Sequence, residues 1–503
     1  MKKNILSAAI AVASLAAFSQ ASFAIEPTVV PDLHIYLSGA SAQDKVINAL
    51  VTDLCKNGTT STTDLTTFKD DGGVVGAVTG KKHTAWFCTL TNAAVTGLSG
   101  PKKVLIHKRS DGGSAQGVSP ILANTAIDAM AINNSNCTGT GATRSCRISN
   151  AGDLVLHTSD AGVSDVNPEM FTGLLNTPVG FAPVVATDVA AKLVVKPSAA
   201  VMFGVPVTLN LYKALQIAQG IAPTAACATG AYTEACLPNL SKIQVSSLLS
   251  GQVKDWSAFS FGGVALTATA CVSAPTDTLV HICKRTAGSG TGAQMYAKFL
   301  NAPCTSGTLT MTAGDAFSGP IVHEVAESGD LEACQDDLSK GNAVAVDVNG
   351  DVINTGGAGS DAWAIGVQAL EKNSDVLKDY RFVKIDGVAP TLKNAHNGSY
   401  MDWVESTWQY RKLALSGPSG DTLKIIDSII KNGSSPTKLA TLMNKTQPFG
   451  ISGYLAVAAN GYAVSDTLIP SAPVMPFTHA AGGSLNNCTV PALTASATVI
   501  PLK

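Results

Sequence analysis

The chain has 503 residues, a formal net charge of −2 at pH 7 and only 14% charged residues. It contains no basic stripe and no interleaving of basic with aromatic residues, which argues against nucleic acid as a partner. The length exceeds what one hydrophobic core usually supports, so we expect at least two lobes.

The first 24 residues have the pattern of a secretory signal peptide. Lys2 and Lys3 precede an apolar, alanine-rich stretch, and Ser22 and Ala24 are the small residues that a signal peptidase requires. The next residue is Ile25 rather than Cys, so a lipid anchor is not expected there. No later run is long and apolar enough to cross a bilayer. The sequence predicts an exported monomer, periplasmic or secreted, without a membrane span.

Short apolar runs alternate along the chain with stretches of helical period. The runs predict strands at 29–39, 103–109, 154–158, 203–212, 278–285, 342–348 and 380–387. The periodic stretches predict helices over Gln43–Leu54, Ser241–Leu249, Ala293–Leu300, Asp361–Lys372 and Trp403–Ser416. A strand, a Gly/Ser turn and a helix in repeated order are typical of an α/β fold. The stretch 465–503 is rich in Pro, Ala and Thr and is expected to be an irregular strap on the surface.

All eleven cysteines follow residue 24, and most should pair in an oxidising compartment. Neighbours in sequence suggest the pairs Cys55–Cys88, Cys137–Cys146, Cys227–Cys236, Cys271–Cys283 and Cys304–Cys334. Cys488 would then be alone, although sequence does not fix the connectivity. The chain has no CxxC pair, and its eight histidines lack metal-ligand spacing. We therefore expect neither a metal nor a cofactor.

The stretch KRTAGSGTGAQMYAKFL, at 284–300, places an arginine before a Gly/Ser turn and a helix. Such a turn leaves backbone N–H groups without partners at the helix start, and these groups bind anions. Arg285 adds a planar fork that can hold two oxyanion oxygens, and the hydroxyls of Ser289 and Thr291 add donors. An ordinary turn with a helix cap is the alternative interpretation.

Three further stretches share this character: GASA at 39–42, GSAQGV at 113–118 and TSDAGVSD at 158–165. Together with LLSGQVKDW at 248–256 and RTAGSGT at 285–291, their order resembles the phosphate-binding periplasmic proteins of ABC transporters. That family belongs to the type 2 periplasmic-binding-protein superfamily. The resemblance covers about 33–410 and implies an α/β, two-lobed fold with two hinge crossovers. Lobe 1 would take 25–200 and 404–503, and lobe 2 would take 201–403.

The resemblance also implies a set of anion contacts, carried over one residue at a time. They are Ser41, Ala42, Ser114, Asp160, Arg285, Ser289, Gly290 and Thr291. An ionised Asp160 accepts hydrogen bonds only, so it would take the proton of hydrogen phosphate and repel sulfate. A cap for the following turn is the other interpretation of Asp160, and Asp165 is an alternate acid. The family commonly has Asp two residues after the arginine, where this chain has Ala287. We expect Arg285 to be freer and the site more positive as a result.

Two functions follow from these observations. The first is an exported, non-enzymatic binding protein for phosphate or a similar tetrahedral oxyanion, working with an ABC permease. The alternative is an extracellular or cell-surface structural or adhesion protein that reuses the scaffold, suggested by the long Cys- and Thr-rich insertions. A hydrolase is disfavoured, because neither a GxSxG elbow nor paired metal ligands can be found.

Overall fold

A computed structural model describes residues 25–62, 64–268, 274–307, 309–346, 350–358, 361–495, 497 and 499–501. The predicted signal peptide and Cys271 lie outside the described residues. Strands β1 to β15 are Leu33–Gly39, Thr66–Asp70, His83–Leu90, Lys102–Arg109, Ile127–Met130, Cys137–Thr138, Thr143–Cys146, Leu154–His157, Ala161–Ser164, Leu193–Gly204, Pro206–Thr208, Asn239–Leu240, Ser260–Phe261, Val264–Ala265 and Asp277–Arg285. Strands β16 to β29 are Ile321–Val325, Asn342–Val346, Val352–Ala358, Ala362–Gly366, Gln368–Ala369, Tyr380–Phe382, Lys384–Ile385, Trp403–Arg411, Lys445–Gln447, Gly450–Ser452, Tyr454–Val457, Val474–Met475, Phe477–Thr478 and Ala492–Leu493. Helices α1 to α10 are Asp44–Leu54, Ser119–Ala123, Ala186–Lys192, Leu209–Ala218, Lys242–Leu249, Gly290–Met295, Ser328–Lys340, Leu392–His396, Gly420–Gly433 and Pro436–Lys438.

Two sheets organise the described part of the chain. In the larger sheet the strands run in the order β27, β26, β10, β23, β9, β1, β4, β3, β2, β7 and β6. In the smaller sheet the order is β16, β15, β19, β11 and β21. Strands β1, β4 and β9 are parallel neighbours, as are β15, β16 and β19. The carboxyl ends of these parallel strands are where an α/β fold binds its ligands.

The chain crosses between the two sheets after β10 and before β23, and between these crossings the two-residue strand β20 also pairs with the end of β10. It leaves the larger sheet after β10, which ends at Gly204, and enters the smaller one at Pro206. It returns at Trp403, where β23 begins and pairs with β10 in antiparallel register. The predicted α/β class is therefore present, and the two predicted crossovers correspond to the crossings after Gly204 and before Trp403. The assignment of the two sheets to lobes that move against each other stays a prediction.

Two predicted helices are wrong. The segments 361–372 and 403–416 contain the strands β19 and β23 instead. Every residue of β19 is buried, and so are the first eight of β23, from Trp403 to Tyr410. A strand that is covered on both faces has no alternation of apolar and polar residues, so its apolar positions can imitate a helical period. Trp256, Trp363 and Trp408 are buried.

The disulfides follow the predicted pairing in part. Cys55 is bonded to Cys88, Cys137 to Cys146 and Cys227 to Cys236, as neighbours in sequence suggest. The other two described bonds are different, because they join Cys283 to Cys334 and Cys304 to Cys488.

These two bonds correct the pairs Cys271–Cys283 and Cys304–Cys334 and the expectation that Cys488 is alone. Cys283 lies on β15 and packs in one apolar cluster with Cys334 of α7, which brings the two together despite 51 residues of separation. Cys488 lies in the C-terminal strap, which returns to the loop after α6. Within the described residues, no helix is long and apolar enough to span a membrane.

Candidate anion site

The turn after β1 brings the first predicted contacts to the carboxyl end of the larger sheet. Gly39 ends the strand with φ +114°, and a Cβ there would overlap the carbonyl oxygen of Val163. Glycine is therefore needed for this close approach between neighbouring strands. Ser41 and Ala42 follow in a single 3₁₀ turn that leads into α1, and both are buried.

Arg285, the last residue of β15, connects the smaller sheet to this turn. Its side chain is only 2% exposed. Its Nε donates to the carbonyl of Ala326 at 2.9 Å, and its Nη1 donates to the hydroxyl of Ser328 at 2.8 Å. Its Nη2 donates to the hydroxyl of Ser41, which belongs to the larger sheet, at 3.2 Å. A buried guanidinium requires such acceptors because its charge has lost the surrounding water.

The Gly/Ser turn after Arg285 lies directly against the turn at 113–117. The Ala115 N–H donates to the carbonyl of Gly288 at 2.8 Å. Gly290 begins α6, and a Cβ on it would overlap the hydroxyl of Ser114. Ser289 caps α6, since its hydroxyl oxygen accepts from the Gly292 N–H at 3.2 Å. The Thr291 hydroxyl is buried and has no hydrogen-bond partner among the described residues. The structure therefore brings Ser114, Ser289, Gly290 and Thr291 together.

The carboxylate at this site belongs to Asp165 and not to Asp160. Asp165 follows β9, and its Oδ1 accepts from Gln43 Nε2 at 3.0 Å while its Oδ2 accepts from the Ser114 hydroxyl at 3.3 Å. Burial raises the pKa of Asp165, and the Gln43 hydrogen bond and the Arg285 charge oppose that rise. A Cβ on Gly290 would lie 2.8 Å from Asp165 Oδ2, so the acid contacts the start of α6.

Asp160 precedes β9 and lies at the opposite end of that strand. Its Oδ2 accepts from the Tyr36 N–H at 2.8 Å. Five residues of extended chain span about 16 Å, which separates Asp160 from Asp165. The segment SDAGVSD contains two Ser-Asp pairs, and sequence alone did not decide which one ends the strand. The signal that could have decided it is the buried run Ala161–Ser164, which Asp165 follows directly.

Sequence reasoning missed Glu327, which follows β16 in the smaller sheet. The residue is 3% exposed, and its Oε2 lies 3.9 Å from Arg285 Nη2. Neither carboxyl oxygen of Glu327 has a hydrogen-bond partner in the described part of the chain. The Ser41 hydroxyl lies close enough to lower the pKa of Glu327. Burial raises the pKa of Glu327 to about 8, and the Arg285 charge opposes this.

Arg285 is not free despite Ala287, whereas the expectation that the site is more positive stays a prediction. Arg285 is held by Ala326, Ser328 and Ser41, and it has a carboxyl group beside it. A second buried cation, Lys108 of β4, donates to the Gly39 carbonyl at 2.8 Å and lies 3.3 Å from Asp44. The site thus combines buried cations with buried acids.

The donors and acceptors of this site are complementary to an oxyanion that carries a proton. The hydroxyls of Ser41, Ser114 and Thr291 and the guanidinium of Arg285 are buried, and Ala42 and Gly290 lie in first turns, where backbone N–H groups have no partner within the helix. Asp165 and Glu327 can accept or share a proton. No group of three or more His, Cys, Asp and Glu in the described ranges is arranged to hold a metal ion.

Comparison with known proteins gives low similarity throughout. No protein-family model and no curated protein matches the chain. Among solved structures, an ABC-type phosphate transport receptor from Vibrio cholerae is 10% identical, with a TM-score of 0.37, over 81% of this chain and 98% of that one. PstS from Borrelia burgdorferi is 9% identical, with a TM-score of 0.33, over 84% of this chain and 98% of that one. A phosphate-binding protein from Stenotrophomonas maltophilia is 11% identical, with a TM-score of 0.34, over 84% of this chain and 87% of that one. These TM-scores are too low to support an argument about the fold, so the fold assignment rests on the sheet topology described above.

Proposed function

We propose that the chain is an exported binding protein for phosphate or a similar tetrahedral oxyanion, taken up between two lobes for delivery to an ABC permease. One observation carries the proposal: the buried guanidinium of Arg285 reaches from the smaller sheet to the hydroxyl of Ser41 on the larger one. A planar fork at the junction of two sheets is suited to gripping two oxygens of an oxyanion.

The remaining groups supply the other contacts. The hydroxyls of Ser41 and Thr291 donate to further oxygens, and the Ser114 hydroxyl joins them when it turns from Asp165 to the anion. The hydroxyl proton of Ser289 is also free to donate, since its oxygen is the acceptor in the α6 cap. The backbone N–H groups of Ala42 and Gly290 complete the donor set. Asp165 takes the place expected of Asp160 and accepts the proton of hydrogen phosphate, which sulfate lacks at neutral pH.

Ligand entry requires the two turns to separate. The Ala115 hydrogen bond to Gly288 and the contact of Ser114 with Gly290 both join the larger sheet to the smaller one. An anion that touches both turns stabilises the arrangement in which they are close. We infer that the crossings after Gly204 and before Trp403 act as the hinge.

A second candidate function has a specific observation in its favour. The direct contact of Gly288 with Ala115 and the disulfide of Cys304 with Cys488 both hold parts of the chain together without a ligand. Such contacts suit an extracellular structural or adhesion protein that keeps the scaffold as a rigid body. The two functions differ in whether the isolated protein binds an anion.

Titration calorimetry of residues 25–503 with phosphate, and then with sulfate, near neutral pH tests the proposal. We expect micromolar or tighter binding of phosphate and no heat with sulfate. No heat with either anion would overturn the transport function and favour the structural one. Sulfate binding equal to phosphate binding would contradict the role of Asp165.

A further inference from the structure

Glu327 lies at the anion site but comes from a loop that the anion motifs do not include. It precedes Ser328, the first residue of α7, and its backbone N–H donates to Oδ2 of Asp330 at 3.2 Å. The loop is brought to the site by the parallel register of β15 and β16, in which Arg285 faces Val325. The carboxyl group therefore reaches Arg285 from the adjacent strand rather than from position 287.

We propose that Glu327 is the counter-group of Arg285 and that the site binds its oxyanion together with one proton, which Glu327 takes up. The inference rests on the proposed function, and it adds that the protein binds one proton, on Glu327, together with the anion. The proton comes from solvent and forms an O–H bond on the Glu327 carboxyl, so charge and atoms balance.

The argument is one of charge in a site that excludes water. Without an anion, an ionised Glu327 is attracted to Arg285 at 3.9 Å. An anion bound to Arg285 weakens the attraction between Arg285 and Glu327, and it places a second negative charge beside the Glu327 carboxylate. Like charges in a buried site cannot both persist, so the weaker acid is protonated. Burial already raises the pKa of Glu327 to about 8, so the carboxyl is mainly neutral at pH 7 and takes up its proton on binding at higher pH.

The other charged groups around Glu327 do not remove the need for this proton. Asp44 at the start of α1 and Asp111 after β4 both raise its pKa, whereas Arg285 of β15 lowers it. Lys108 of β4 also interacts with Glu327, but its Nζ already lies 3.3 Å from Asp44. On its own element, Asp330 is paired with Lys81 at 2.9 Å. Arg285 therefore remains the cation that decides the charge of Glu327.

The pH dependence of phosphate affinity tests the proposal, measured by calorimetry between pH 6 and 9.5 on the wild type and Glu327→Gln. A pKa of about 8 predicts that wild-type affinity falls about tenfold more than that of E327Q between pH 7 and pH 9. The titration of phosphate itself is common to both proteins and cancels in the ratio. Asp160→Asn is the control, since Asp160 accepts from the Tyr36 N–H at the opposite end of β9, and its pH profile should follow the wild type.

Proton uptake on binding gives a second readout that needs no variant. Wild-type titrations at pH 8.5 in buffers of different ionisation enthalpy should show uptake of roughly one proton beyond that of phosphate. Parallel profiles for the wild type and E327Q, or no extra uptake by the wild type, would overturn the proposal while leaving phosphate binding intact. Absence of phosphate binding by the wild type at every pH would instead overturn the proposed function, and this inference with it.

Discussion

The guanidinium of Arg285 donates to the hydroxyl of Ser41 across 3.2 Å, although Arg285 ends a strand of the smaller sheet and Ser41 lies in the turn after β1 of the larger one. This bond ties the sheets together at the junction where the other candidate contacts meet. A ligand that replaces Ser41 as an acceptor for Arg285 would therefore bind and bridge the two sheets at once.

Arg285→Ala is expected to abolish measurable phosphate binding. In the proposed function the Arg285 guanidinium is the charge that holds the anion, and the loss of a buried charged contact typically costs about 2–5 kcal/mol, which is about thirtyfold or more in affinity. The fold should survive, because Glu327 can be protonated once its counter-charge is gone. Calorimetry gives the affinity and thermal denaturation gives the stability. Arg411→Ala is the control, since Arg411 donates to the carbonyls of Ile121 and Leu122 and should leave affinity unchanged.

Unaltered phosphate affinity in the Arg285 variant would refute the site assignment. A variant that loses binding only because it is unfolded would be recognised by its thermal transition. In that case Arg285→Lys, which keeps a positive charge but loses the planar fork, should still bind phosphate more weakly than the wild type.

Thr291→Val is expected to separate ligand binding from folding. The Thr291 hydroxyl is buried without a partner, so its replacement by a methyl group should be neutral or slightly stabilising. Phosphate affinity should fall about tenfold, since one hydrogen bond to the ligand is lost. The matched control is Thr208→Val, because the buried Thr208 hydroxyl accepts from the Ala364 N–H at 3.1 Å.

The control should therefore show the opposite result. Thr208→Val leaves a buried N–H unpaired and should lower the free energy of unfolding by about 1–3 kcal/mol with no change in phosphate affinity. Denaturant unfolding and calorimetry on both variants measure the two effects. Equal phosphate affinity in Thr291→Val and the wild type would remove Thr291 from the site.

Asp165→Asn and Asp160→Asn distinguish the two Ser-Asp pairs of the segment 159–165. Asn at 165 can donate a hydrogen bond to a fully deprotonated anion, so the preference for phosphate over sulfate should narrow by about tenfold or more. Asn at 160 should leave that ratio unchanged, because Asp160 contacts Tyr36 at the other end of β9. The ratio of dissociation constants from competitive titration measures this. A narrowed ratio in the Asp160 variant alone would restore the assignment made from the sequence.

Local sequence patterns predicted the turns of the candidate site. The remaining residues are brought there by pairing between strands that are distant in sequence. The Gly/Ser turn after Arg285 is visible in sequence because a strand, a glycine and a helix start lie within a few residues of one another. Glu327 was missed because it reaches Arg285 only through the parallel pairing of β15 with β16, which no local pattern specifies. The sequences of β19 and β23 imitate helices because burial on both faces removes the period of two.

The disulfide between Cys304 and Cys488 should contribute more to stability than the one between Cys227 and Cys236. The first spans 184 residues of sequence and the second only 9. The loop-entropy model gives about 5 kcal/mol for the long loop and about 2.6 kcal/mol for the short one. The double variants Cys304→Ser/Cys488→Ser and Cys227→Ser/Cys236→Ser should therefore lose stability in that order, as measured by denaturant unfolding under non-reducing conditions. An equal or smaller loss of stability in the Cys304/Cys488 variant would contradict this prediction. It would mean that other contacts of the strap, such as the reciprocal hydrogen bonds of Asn487 with Asn167, persist in the unfolded state and already restrict the long loop.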